Sequence, residues 1–68
     1  MTTQRELEHL RTRLRVAKLS HNPGKVTAEA DAGLAWFAEH GHPDCWHDWQ
    51  RARDDAQLAL RYGTPYRP

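Results

Sequence analysis

Two short breaks that contain proline and glycine divide this chain into three stretches of helical periodicity. The first break is His-Asn-Pro-Gly at residues 21–24, and the second is His-Gly-His-Pro at residues 40–43. Proline disfavours helix at the residue before it, and glycine permits a tight turn. The pattern therefore predicts three consecutive helices joined by two turns.

The first helix is predicted over residues 3–20. Thr3 followed three residues later by Glu6 matches a capping box, in which each side chain accepts a hydrogen bond from the other residue's free backbone amide. Apolar residues then recur at three- and four-residue spacing, which indicates one buried stripe. This stripe consists of Leu7, Leu10, Leu14 and Ala17.

The other two helices are predicted over residues 27–40 and 43–62, followed by an extended tail over residues 63–68. Helix two is apolar over much of its circumference, which is typical of the central helix of a fold. Pro43 suits a first helical position, and Gly63 suits the residue that closes a helix.

These features predict an all-α fold, a small three-helix bundle that forms a single domain over residues 1–68. The second turn is so short that helices two and three must be neighbours. The first connection is longer, which leaves one alternative open. In that alternative, helices two and three form a hairpin and helix one pairs with another copy of the chain.

The chain has 68 residues, so its core is small. Chains of this size bury only about 60% of the surface that the unfolded chain exposes, and many need a disulfide, a metal or a partner. Cys45 is the only cysteine, which excludes a disulfide within the chain. This leaves a metal, self-association or unusually good helix packing, and of these we expect self-association as a homo-oligomer.

The charge and the hydropathy of the chain indicate where in the cell the protein is expected. The formal net charge is +1, which selects no partner by itself. No apolar run approaches the roughly 20 residues that a membrane span requires, and the first residues are polar, unlike a secretory signal. We expect a cytoplasmic protein that does not contact a membrane.

Histidine and cysteine concentrate between residues 40 and 47. Zinc prefers nitrogen and sulfur ligands, but structural zinc sites usually combine two closely spaced ligand pairs, and that spacing is missing here. We predict no metal and no cofactor, and keep a zinc-stabilised helical domain as an alternative. Its weak candidate ligands are His40, His42, Cys45 and His47.

Catalysis by Cys45 would need a base that a third group holds in place, and nothing in the sequence indicates such a set. We therefore expect no catalytic residue and no enzymatic activity. Small helical chains of this kind commonly act by occupying a surface of something larger. A phage or mobile-element accessory protein that binds a larger host protein would fit this description.

The three tryptophans are the sequence feature that most strongly indicates a protein-contact surface. A bundle this small encloses one or two of them, so the third should be partly exposed. Exposed Trp, Tyr and Arg side chains dominate protein–protein contacts. We therefore predict a protein-interaction module, and the predicted contact set is Trp46, Arg53, Leu58 and Tyr62.

An alternative is a small regulator that binds nucleic acid through the basic face of helix one. Arg11, Arg15 and Lys18 recur at helical spacing on one side of that helix. A strip of cations can bind phosphates, although it can equally remain solvated.

Overall fold

The computed structural model describes residues 2–68 and shows three packed helices, with no strand in that range. Helix α1 spans Gln4–Leu19, helix α2 spans Pro23–His40, and helix α3 spans His47–Tyr62. A short 3₁₀ turn, Asp44–Trp46, precedes α3. The predicted all-α three-helix bundle is confirmed, and α1 packs on its own chain as the leading architecture required.

Helix α1 begins with the predicted capping box. The Thr3 hydroxyl accepts a hydrogen bond from the Glu6 amide at 3.2 Å, and the Glu6 carboxylate accepts one from the Thr3 amide at 3.2 Å. The two side chains satisfy backbone donors that the helix cannot. This local sequence signal therefore sets the first turn as predicted.

Helix α2 begins at Pro23, four residues before the predicted start at residue 27. The Asn22 side chain accepts hydrogen bonds from the amides of Gly24 and Lys25, at 2.9 and 3.3 Å. Pro23 occupies a first-turn position, where its missing N–H costs nothing. The segment interpreted as a break is therefore the cap and first turn of α2.

Helix α3 also differs from its predicted start at residue 43. Pro43 has an extended backbone (φ −72°, ψ 162°) and lies before the 3₁₀ turn, so the α-helix starts only at His47. The end agrees with the prediction, because Gly63 closes the helix in the left-handed conformation (φ 67°).

Helix α2 lies between the other two helices and supplies the centre of the core. Phe37 on α2 meets Trp49 on α3 edge to face, with ring centroids 4.9 Å apart. On α3, Trp49 and the alanines that follow it at helical spacing are buried as far as Ala59. Leu7 and Leu10, at the start of the predicted α1 stripe, are only half-buried. The buried core comprises Leu14, Ala17, Val26, Ala30, Phe37, Trp49, Ala52, Ala56, Ala59 and Tyr66.

The tail after α3 has no helix, as predicted, but it folds back onto the bundle. The Tyr66 amide donates a hydrogen bond to the His21 carbonyl at 2.8 Å. The His21 ring Nδ1 donates in return to the Tyr66 carbonyl at 2.8 Å. Tyr66 is 4% exposed, so the tail completes the core at the end where α1 meets α2.

Candidate functional site

Contacts along the bundle show which parts of the three helices share an end. Thr2 bonds to the Gly41 carbonyl, which places the start of α1 beside the end of α2. Arg53 pairs with Asp31 halfway along α2 and α3. Neighbouring helices are therefore antiparallel, and the ends of α1 and α3 lie together beside the start of α2.

We call this common end the basic end and define it as residues 15–28 and 56–64. It carries no aspartate or glutamate. Carboxylates adjoin it on both helices: Glu29 follows it directly on α2 and pairs with Arg13, and Asp54 and Asp55 precede it directly on α3. Its cations are Arg15, Lys18, Lys25 and Arg61.

The opposite end, which we call the acidic end, comprises residues 2–10 and 36–50. It carries five carboxylates and one cation, Arg5. Between the two ends, charges of both signs are mixed, as in the Arg13–Glu29 pair at 3.0 Å. The charges of the molecule are therefore separated along its long axis. The carboxylates of the acidic end are Glu6, Glu8, Glu39, Asp44 and Asp48.

Exposed apolar side chains are also distributed unequally between the two ends of the bundle. Every large apolar side chain that is exposed within residues 2–68 belongs to the basic end, with Tyr62 the most exposed at 71%. Exposed apolar groups gathered in one region of a small protein commonly mark a contact surface. These side chains are Val16, Leu19, Leu58, Leu60 and Tyr62.

The predicted contact set does not form one surface. Leu58 and Tyr62 are exposed together at the basic end. Trp46 is half-buried at the acidic end. The guanidinium of Arg53 is held by Asp31, with Nε donating to Oδ1 at 2.6 Å. The prediction thus combined residues from both ends and the middle of the bundle, because helical spacing does not show how the ends of three helices are arranged.

The tryptophans are buried to different degrees. Trp49 is 1% exposed, whereas Trp36 and Trp46 are half-buried at the acidic end. Two indole rings, rather than the predicted one, therefore reach the surface in part. Each stacks on a histidine: Trp36 on His40 and Trp46 on His47, with centroids 3.8 and 4.0 Å apart.

The histidine and cysteine cluster is arranged around these rings. The ring of His40 donates from Nδ1 to the Trp36 carbonyl at 3.0 Å, and His42 meets Trp46 edge to face. Cys45 Sγ accepts a hydrogen bond from Arg11 at 3.1 Å. Within the described part of the chain, no three His, Cys, Asp or Glu side chains converge on a possible metal position.

The basic strip of α1 faces α3 across a groove of about 410 Å³. Arg11, Arg15 and Lys18 line one wall, and Arg51 joins them from α3. The groove also contains carboxylates, those of Asp48 and Asp55, and Tyr66 of the tail lies against it. The α1 strip is therefore one wall of a mixed-charge groove rather than a free basic face.

Sequence reasoning missed three members of the exposed apolar group. Val16 and Leu19 lie off the predicted α1 stripe, and this departure from periodicity was a signal that they face solvent. Leu60 of α3 is 51% exposed and was not part of the predicted contact set. No sequence signal showed that the three lie at one end, because that follows from helix packing.

None of the helices within residues 2–68 is both long enough and apolar enough to cross a membrane. Comparison with known proteins finds no matching family model, no matching curated protein and no matching solved structure.

Proposed function

We propose that this chain is a non-enzymatic interaction module that binds proteins, including other copies of itself, through its basic end. The observation that supports this proposal is the placement of every exposed large apolar side chain of residues 2–68 at that end. Burial of one such side chain stabilises a complex by up to about 1.5–3 kcal/mol before the costs of association are subtracted.

The arrangement favours a partner that covers the end of the bundle. Leu58 and Leu60 are two residues apart on α3, so they point to different sides of that helix. Val16 and Leu19 belong to another helix. A partner lying along one side of the bundle would reach only part of this group, whereas a partner across the end would reach members from both helices.

Sedimentation equilibrium tests the proposal without a known ligand. We expect the mean mass to rise above that of a monomer between about 1 µM and about 1 mM, the range of a weak contact. The double variant Leu19→Ser, Leu58→Ser should remain monomeric, and its circular dichroism should be unchanged because both side chains are exposed. The matched control Ala32→Ser, Ala35→Ser alters exposed residues of α2 and should associate as the original chain does. Equal association of the Leu variant and the original chain would contradict the proposal.

A second candidate function is nucleic-acid binding, which the groove between α1 and α3 favours. The ion pairs within residues 2–68 use Arg13 and Arg53, and none of them involves the four groove cations. Those four guanidinium and ammonium groups could contact phosphates. They are Arg11, Arg15, Lys18 and Arg51.

Fluorescence anisotropy with a short labelled duplex and a single strand tests this candidate. Binding through phosphates should weaken steeply as salt is raised. The variant Arg15→Gln, Lys18→Gln should reduce affinity severalfold for every sequence tried, while Arg53→Gln should not. Binding that is independent of salt, or that is unaffected by Arg15→Gln, Lys18→Gln, would exclude this function.

A further inference from the structure

We propose that copies of this chain assemble head to tail, with the basic end of one copy docked on the acidic end of the next. This inference rests on the proposed function, because it uses the same basic end, and it adds the identity and the surface of the partner. The partner is a second copy of the chain, and its contact surface is residues 2–10 and 36–50.

Charge complementarity is the first argument. The basic end has four cations and no carboxylate, whereas the acidic end has five carboxylates and one cation. Opposite potentials across an interface favour encounter and register, and facing charges of one sign are costly. A symmetric contact between two basic ends would bring two sets of four cations together. The head-to-tail contact instead pairs each cationic surface with an anionic one.

Apolar complementarity is the second argument. The acidic end exposes parts of two indole rings, those of Trp36 and Trp46. Trp36 and Leu10 line a groove of about 610 Å³ between α1 and α2, together with Glu6 and two arginines, Arg5 and Arg13. An exposed leucine or tyrosine of a neighbouring copy would meet apolar surface in this groove, and the other carboxylates of the acidic end lie outside it. Aromatic side chains in such positions commonly supply much of the energy of a contact.

The geometry of this contact has a consequence for the assembly. Its two surfaces are different, so each copy that uses one of them leaves the other free. Such heterologous contacts produce rings when the rotation between copies closes and open chains when it does not. We therefore expect assemblies that grow beyond a dimer as concentration rises.

Charge-swap variants test the inference in sedimentation experiments on the whole chain. In the basic-end variant, Lys25→Glu and Arg61→Glu leave two cations and two carboxylates, so the basic end has no net charge. In the acidic-end variant, Glu39→Lys and Asp44→Lys leave three carboxylates and three cations, so the acidic end has no net charge. All four side chains are exposed, so folding should be unaffected. We expect each variant alone to be monomeric, and an equimolar mixture of the two to associate again.

The outcomes separate this inference from the proposed function. If the acidic-end variant associates like the original chain while the basic-end variant does not, the head-to-tail arrangement is wrong and the basic end remains the contact surface. If both variants associate like the original chain, both proposals fail. If the original chain is monomeric throughout but binds anionic lipid vesicles, the basic end faces a membrane surface and the inference is also wrong.

The salt dependence of association tests the inference on the original chain, so the result does not depend on whether the charge-swap variants fold. Because the contact joins opposite charges, raising the salt concentration from about 0.05 M to about 1 M should weaken association of the original chain roughly tenfold or more. Association of unchanged or increased strength in high salt would overturn the inference.

Discussion

Gly33 of α2 and Trp49 of α3 are in close contact within the core. The indole ring of Trp49 lies directly over the α2 backbone at Gly33, where a Cβ atom would overlap the ring. We predict that Gly33→Ala lowers the free energy of unfolding by about 1–3 kcal/mol, because overpacking outweighs the roughly 1 kcal/mol by which alanine favours helix. Urea denaturation followed by circular dichroism measures this change.

The background variant Trp49→Leu provides the control. Leucine is smaller than the indole, so Gly33→Ala should cost much less there, and the two substitutions should be strongly non-additive. An equal loss of stability in both backgrounds would show that the indole is not what excludes a side chain at position 33.

Tyr66 gives the stability of the chain a dependence on alkaline pH. Burial raises the pKa of its phenol above the usual value of 10.0, and the negative charge of Asp55 raises it further. The folded state therefore favours the protonated phenol. The stabilisation is fully present below pH 10.0, the pKa of an unburied phenol, and is lost as pH rises through the raised pKa of the folded state.

We predict that Tyr66→Phe makes the free energy of unfolding less dependent on pH between about pH 9.5 and pH 11.5 than it is in the original chain. Urea denaturation at several pH values measures the two slopes. Phenylalanine keeps the ring that fills the core, so the two chains should differ little near neutral pH. Identical slopes at alkaline pH would contradict the account of Tyr66.

Among the secondary-structure elements, α2 depends most on a single capping residue. Asn22 accepts hydrogen bonds from two amides at the start of the central helix. We predict that Asn22→Ala lowers the free energy of unfolding by about 1 kcal/mol, the usual cost of losing such a cap. Thermal or urea denaturation checks this, and Asn22→Asp should retain most of the stability. A neutral effect of alanine would mean that the first turn does not need the cap.

The helices show how far local sequence predicts this fold. The capping box at Thr3 and the closing Gly63 are signals within a few residues, and both positions were predicted correctly. The start of α2 was predicted four residues late, because an Asn-Pro-Gly sequence favours a turn as much as an N-terminal cap. Which of the two forms depends on the core that Val26 enters, and that requires the packed bundle.

The contact surfaces at the two ends were harder to predict from the sequence than the fold was. The predicted contact set combined Leu58 and Tyr62, which are exposed at the basic end, with Trp46 and Arg53, which lie elsewhere in the bundle. The separation of charge into two ends combines segments distant in sequence, such as residues 15–28 with residues 56–64. It becomes visible only when the order and direction of the helices are known.

Over the whole molecule, the central claim is that the two ends are contact surfaces and the middle is not. Dilution of ¹⁵N-labelled protein, followed through its amide chemical shifts, tests this claim most directly. We predict that concentration-dependent shifts are confined to residues 2–10, 15–28, 36–50 and 56–64, while amides of residues 29–35 stay unchanged. Shifts that do not depend on concentration, or that cluster in residues 29–35, would contradict this claim.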